Sequence, residues 1–491
     1  MLSKNVISLA MRVLVVSVVG LFTTKIHLLN VGFSEYGTYI TIFSLSFLPN
    51  FANAALMNCL QRFFAFSLRQ SASIKSYAVF WIGIIIISIC FITLIFPQFL
   101  FQEQIIQYFF ASYSGHANLS DLYNVLLLSS TVALLIIPFT SLITAHEHFA
   151  VFSSISVTQA FIKIIIAVIG LQFSLNILVI SWSLLISNLV TLIVSYIYCN
   201  KNFHHCENTG LNKNLFKKII AYFFNMSIGE VSAVLSFSGV NLIIYNYLSP
   251  EIVSAKAIAQ QLSGLIKNFG ASLGNAISPR VFKNYGTQNF NKTGSTLFKF
   301  VNYTQLFILF VSIFLIINFE FIFQVWVANT SLELKSLVFA SLLVIWLESL
   351  TMGRKGLLQA KGNITLYQWI IGSILLLNVP LTYVLISYFN LNYLSVVLSM
   401  VLLQFIAVFV RIYITSQLLE ETYDQGLAMK ITRSALPHIL LLNVYFIIPA
   451  STMLKYQLYN MFIFLIVGLF ISYYVSLDRN ERVELSKIIK R

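Results

Sequence analysis

Charge is what this sequence has least of. Only 9% of its 491 residues are Asp, Glu, Lys or Arg, and just 16 are acidic. A soluble domain carries about 25% charged residues, so the polar surface that water requires is missing here. Cysteine is sparse too: Cys59, Cys90, Cys199 and Cys206 form no C-x-x-C pair, so neither a disulfide framework nor a zinc site is signalled. There is no G-x-x-x-x-G-K-[ST], no G-x-G-x-x-G and no H-E-x-x-H. No hydrophilic segment is long enough for an ATPase or glycosyltransferase domain. These absences argue against transport driven by the chain's own ATP hydrolysis, and they leave no enzyme chemistry, cofactor or metal to expect. The first apolar stretch, Val13–Thr24, is followed by Lys25 with no A-x-A-like site. It reads as an uncleaved helix rather than a signal peptide.

What the chain does have is hydrophobic length. Apolar residues make up 58%, Phe alone contributes 44, and mean hydropathy is +0.85. A span needs about 20 mostly apolar residues. The stretches 8–29, 36–59, 77–100, 122–145, 151–171, 176–199, 221–247, 254–278, 298–317, 336–353, 364–388, 393–414, 437–454 and 459–476 meet that need. The expectation is an all-α polytopic membrane protein of about fourteen spans, of which 36–59 and 254–278 are unusually polar. With the N-terminus in the cytoplasm, 23 of the 30 basic residues fall on the cytoplasmic side and 4 outside. Arg12, Lys163 and Lys267 stay at membrane depth. This asymmetry follows the positive-inside rule, places both termini in the cytoplasm and accounts for most of the +14 net charge without nucleic acid.

The two polar spans look alike. Arg62 follows Asn50-Phe51, and Arg280 follows Asn268-Phe269, at the same spacing. Upstream, Ser34-Glu35 corresponds to Pro250-Glu251; later, Leu142-x-x-Ala145 corresponds to Leu357-x-x-Ala360. Three matches at nearly one offset suggest a duplicated six-helix unit. An even number of helices makes the copies a parallel repeat about the membrane normal. The expected organisation is a first lobe over 1–199, a cytoplasmic linker over 200–220, a second lobe over 221–417, and two further helices with a tail over 418–491.

Polar groups in hydrocarbon cost several kcal/mol when unpaired, so they should face protein or water. The basic candidates are Arg12, Lys25, Lys163, Lys256 and Lys267; the polar ones include Asn50, Asn53 and Asn268. Against them stand Glu230 and Glu348, the candidates for ion coupling. The surplus is positive, which suits a phosphate-bearing cargo. Snorkelling to headgroups is the alternative for Arg12, Lys25 and Lys256, which lie near span ends. The asparagines could equally hold helices together. Lys256 and Lys267 are eleven residues apart, about three turns, and share a helix face. Glu230 could pair with Lys267 or Arg12. His146-Glu147-His148 and His204-His205-Cys206-Glu207 lack the spacing of a structural zinc site and read as solvated turns.

The run Gly32-Phe33-Ser34-Glu35-Tyr36-Gly37-Thr38-Tyr39, then a polar span ending in Gln61-Arg62-Phe63, resembles the start of bacterial polysaccharide exporters and O-antigen (Wzx-type) flippases. These share a superfamily with the multidrug and toxic-compound extruders and the lipid II flippase. The resemblance implies two lobes in a V, with a central cavity lined by spans one, two, seven and eight. It implies a multi-pass protein of the bacterial inner membrane that carries undecaprenyl-diphosphate-linked repeat units to the periplasmic leaflet. Its implied partners are that lipid-linked oligosaccharide, membrane lipid, a polysaccharide polymerase and a chain-length regulator. The multidrug extruders of this group commonly use a carboxylate in the first helix of a lobe; span one has none here, whereas span seven has Glu230. A drug or metabolite antiporter is the runner-up. A membrane polymerase or acyltransferase ranks lower, because the longest outside loop, 101–121, contains no Lys or Arg.

Overall fold

The computed structural model describes residues 2–69, 73–110, 119–173, 175–203, 213–286, 290–352, 358 and 365–418. Among the described residues every regular element is a helix. In chain order these are α1 (Leu2–Leu45), α2 (Phe47–Arg69), α3 (Ser73–Cys90), α4 (Phe96–Leu100), α5 (Gln102–Phe110), α6 (Leu119–Ala145), α7 (Phe149–Gln172) and α8 (Leu178–Asn202). There follow α9 (Lys213–Tyr247), α10 (Pro250–Gly286), α11 (Phe290–Ile317), α12 (Phe319–Val327), α13 (Leu332–Ser349), α14 (Thr365–Leu376), α15 (Asn378–Ser387) and α16 (Leu394–Leu418).

Local chemistry explains the breaks. Gly32 sits at φ 81°, a region that L side chains avoid, and there α1 divides into two helical stretches. Between α3 and α4 the chain widens into a π-turn, Phe91–Ile95, closed by Phe96 N–H donating to Phe91 O. Pro97 follows directly, and a proline has no N–H for the α-helical bond one turn back, so the wider turn absorbs the mismatch. Between α11 and α12 the axis bends by 79° at Asn318, whose amide side chain donates to Phe314 O at 2.9 Å. That second donor on the last carbonyls of α11 competes with helix continuation. Ser331 caps α13, accepting from Leu334 N–H.

Eight helices among the described residues are long and apolar enough to cross a membrane, or nine if the bent α11–α12 pair is one span. The expectation of fourteen is not reached in that set. The expected spans 437–454 and 459–476 lie outside the described residues. Those at 36–59 and 254–278 are helical (within α1–α2 and α10) but too polar to count by themselves, and α13 carries Glu333, Lys335 and Glu348 in eighteen residues. Large apolar side chains point outward in rows, such as Trp182, Ile186, Leu189, Ile193 and Ile197 on α8 and Leu398, Leu402, Phe405 and Phe409 on α16. Such faces suit hydrocarbon, where the backbone is already satisfied within the helix.

The helices gather into two compact units: the described parts of Met1–Ile258 with Gln368–Ser399, and of Ala259–Tyr367 with Met400–Arg491. The first unit takes in 221–258 and 368–399, which the sequence reading assigned to the second lobe. Its core is built on the apolar stripe of α2. Ala52, Leu56, Leu60 and Phe64 are fully buried against Ile82 and Ile86 of α3, Leu134 and Ile137 of α6, and Ile219 and Phe223 of α9. The opposite stripe of α2 is polar: Asn58 and Arg62 are exposed. In the second unit, Lys335 on α13 pairs with Glu320 on α12 at 3.3 Å.

Candidate functional site

The second half of α1 meets the start of α10 in the first unit, and this is where the residues matched by the internal repeat come together. Glu251 is hydrogen-bonded by the hydroxyls of Ser34 and Ser249. Ser254 Oγ donates to Phe33 O. Gly37 allows the close approach, since a Cβ there would run into the Pro250 carbonyl. Burial pushes the Glu251 carboxyl upward, but its own backbone N–H and the two hydroxyls outweigh that and hold it below the ordinary 4.5.

One helical turn further on lies Lys256, 1% exposed. Its ammonium donates to Asn241 Oδ1 at 2.6 Å and Phe237 O at 3.2 Å, and it stands 4.7 Å from the Phe237 ring. Asn241 in turn donates to Ser44 Oγ at 2.9 Å, and Ser44 donates to Ile40 O. The result is a closed chain of neutral acceptors that joins α10, α9 and α1 around one buried base.

The other basic candidates occupy different surroundings. Arg12 is partly buried with its guanidinium 4.6 Å above the Phe152 ring of α7. Lys25 is partly buried on α1, with no hydrogen-bond or ion-pair partner among the described residues. Lys163 on α7 interacts electrostatically with His27 on α1, a histidine that is 6% exposed. Lys267, in the second unit, pairs with Glu348 of α13 at 2.8 Å. Asn53 is partly buried on α2, and Asn268 is exposed on α10. Asn50 belongs to α2, but its side chain lies outside the described part. Glu230 is partly buried on α9.

These placements bear on three sequence readings. Arg12 of the first unit lies over the Phe152 ring, and Lys267 of the second unit takes Glu348 as its ion-pair partner. Lys256 and Lys267 do not share an environment: periodicity fixes the face of a helix, not what covers it, and α1 and α9 cover Lys256 while Lys267 stays 49% exposed. Arg411, counted among the cytoplasmic charges, is 7% exposed within α16, and its Nη1 reaches Thr351 Oγ1 at 3.5 Å. Asn241, Ser44 and His27 were not among the expected site residues.

At the α6–α7 turn, Glu147 adopts φ 61° between two imidazoles. His146 Nδ1 bonds Leu142 O, His148 Nδ1 bonds the Tyr198 hydroxyl, and Phe203 stacks on His146 at 4.1 Å. No cluster of three metal-ligating side chains forms among the described residues. Cys59, Cys90 and Cys199 are buried and unpaired; Cys206 and the histidines beside it lie outside the described residues.

Known proteins share this arrangement of helices. The family model described as MatE matches residues 226–384, from α9 into α15. The lipid II flippase MurJ in an inward closed conformation superposes with TM-score 0.73 at 17% identity, over 95% of this chain and 98% of that one. The fold is that of the MOP-superfamily transporters. A multidrug resistance MATE transporter of that superfamily, inward-facing, gives TM-score 0.68 at 14% identity over 84% of this chain and 100% of that one. A MOP superfamily transporter from Pyrococcus furiosus gives 0.60 at 14% identity over 85% and 96%. No curated protein matches the sequence.

Proposed function

We propose that this protein is a flippase that moves undecaprenyl-diphosphate-linked O-antigen or other polysaccharide repeat units across the bacterial inner membrane by alternating access. The observation that carries this reading is extent. The likeness to the lipid II flippase takes in 95% of the chain, whereas the likeness to the multidrug transporter takes in 84%. The charges agree with it, because bases outnumber acids at membrane depth and a phosphate-bearing cargo seeks ammonium and guanidinium donors. Lys267, Lys25, Lys163 and Arg12 are assigned to the diphosphate and to acidic sugars. Asn50, Asn53 and Asn268 are assigned to sugar hydroxyls. Lys256 is assigned to positioning, since its donors are consumed inside the first unit. Both termini are cytoplasmic on this reading, and a polymerase and chain-length regulator work on the delivered units.

The second reading is a drug or metabolite antiporter. The MatE match over 226–384 favours it, and Glu230 and Glu348 would then couple transport to an ion gradient. Deleting the gene in its host separates the two. Loss of surface polysaccharide with lipid-linked repeat units accumulating on the cytoplasmic side, both reversed by the intact gene, supports the flippase. Normal surface polysaccharide together with heightened drug sensitivity refutes it and favours the antiporter.

A further inference from the structure

The Lys267 ammonium and the Glu348 carboxylate meet at 2.8 Å, and their side chains are 49% and 26% exposed. Lys267 is thus a base at membrane depth that is already neutralised from within its own unit, yet still open on one side. A carboxylate oxygen and a phosphate oxygen ask the same thing of an ammonium: a charge-assisted hydrogen bond of about 2.8 Å. Lysine offers one compact charge on a flexible stem, so both anions cannot be served fully at once. A newcomer must displace Glu348 or share with it. Sharing places two anions side by side, which like-charge repulsion disfavours.

We propose that Glu348 is an internal stand-in for the cargo's phosphate. It screens Lys267 from singly charged phospholipid headgroups and yields only to a diphosphate. The proposal rests on the flippase reading and deepens it, because it states what the site must refuse as well as what it takes. The need is physical. Anionic phospholipid is abundant in a bacterial membrane, and a bare, half-exposed ammonium at that depth would hold a phosphodiester headgroup in preference to the scarce lipid-linked cargo. A phosphodiester brings one negative charge, no more than Glu348 already supplies without any loss of translational freedom. A diphosphate brings about twice that charge and more acceptor oxygens, enough to win the exchange. Glu348 is therefore a specificity-determining residue acting through Lys267, not a group that holds the cargo.

The test uses the purified full-length protein in zwitterionic nanodiscs, with undecaprenyl diphosphate as ligand and short-chain phosphatidylglycerol as competitor. Wild type should bind the diphosphate and ignore the competitor. E348Q keeps the shape and removes the charge. It should bind the diphosphate about fivefold tighter, the equivalent of the roughly 1 kcal/mol that a part-exposed ion pair reaches, and phosphatidylglycerol should now compete. K267M should bind at least about fivefold more weakly, because it leaves Glu348 facing the diphosphate without its counter-ion. The double variant should recover part of that loss, and phosphatidylglycerol should not compete in it because the ammonium that both anions seek is gone. Each variant is first matched to wild type by size-exclusion profile and melting temperature. A folded E348Q that equals wild type toward both ligands overturns the proposal and leaves the flippase reading standing. A folded wild type that binds no diphosphate lipid overturns the flippase reading itself, and with it this one.

Discussion

The Lys256 network allows a sharp physical test. Its base is buried among neutral partners, so the two ends of one hydrogen bond should differ in what their removal costs. Replacing Asn241 with Leu leaves the ammonium in the core with one carbonyl and one ring for company. Stranding a buried charge costs on the order of 3–5 kcal/mol, and because Phe237 O still accepts, about 3 kcal/mol is expected for N241L. Replacing Lys256 with Met preserves the stem's volume. It orphans Asn241 Oδ1, which costs about 1–3 kcal/mol, and loses about 1 kcal/mol of cation–π attraction. It also releases the cost of burying a charge, several kcal/mol in the other direction. These terms nearly cancel, so K256M should lie within about 1 kcal/mol of wild type. With both ends apolar, neither penalty remains, and K256M/N241L should lie within about 1 kcal/mol of wild type. Ser44 stays satisfied throughout through Ile40 O. The ordering and the non-additivity can be read from SDS-induced unfolding of the protein in mixed micelles, followed by intrinsic tryptophan fluorescence. Single-variant costs that simply add in the double variant, or an N241L no worse than K256M, would refute a buried ammonium held by neutral acceptors.

Two further outcomes concern the contact between α1 and the start of α10. Gly37→Ala must push the Pro250 carbonyl away, and backbone cannot yield as a side-chain tip can; a loss of about 1–3 kcal/mol is expected, whereas Gly264→Ala, with open space around its would-be Cβ, should cost nothing in the same unfolding assay. Glu251 is held below 4.5, so its contribution is complete above that value and is lost as pH falls through the lower, folded value. Melting temperature should therefore fall on acidification below about pH 4.5 more steeply in wild type than in E251Q, and parallel pH profiles for the two would contradict the hydrogen bonds from Ser34 and Ser249.

Much of the fold was legible because a membrane writes it plainly: a run of about 20 apolar residues reads as a helix whatever it packs against. The run 298–317 ends one residue before the Asn318 bend, and the gap between 29 and 36 contains Gly32, whose positive φ breaks α1. The matched pairs Ser34-Glu35 and Pro250-Glu251 proved to be neighbours, with Glu251 accepting from Ser34. Partners were harder to read. The eleven-residue spacing of Lys256 and Lys267 is correct as helical geometry, but burial is decided by other helices. Asn241 lies fifteen residues before Lys256 in sequence, on another helix, and only folding shows that its amide closes the network. Arg411 shows the same limit: the tally assigned it a side of the membrane, and only the structure shows that it is 7% exposed.

A surplus of positive charge therefore does not by itself describe a binding site. The sequence separates the five basic candidates only by their place along the spans, whereas in structure they differ in whether a partner can be exchanged. Lys256 gives its donors to Asn241 and Phe237 at 1% exposure, so cargo could reach it only after that network breaks. Arg12 faces a ring and Lys163 a buried histidine, neither of which neutralises it. Lys267 alone among the five meets a carboxylate in the described residues, and that pair is open on one side. An exchangeable counter-ion is what a carrier needs, because the cargo must be taken on one side of the membrane and surrendered on the other. A base beside an exchangeable carboxylate releases a diphosphate more readily than a base without one, because the carboxylate takes over the ammonium as the cargo departs. On the proposed flippase reading, the ion pair that lowers affinity for cargo is also what lets the cargo leave.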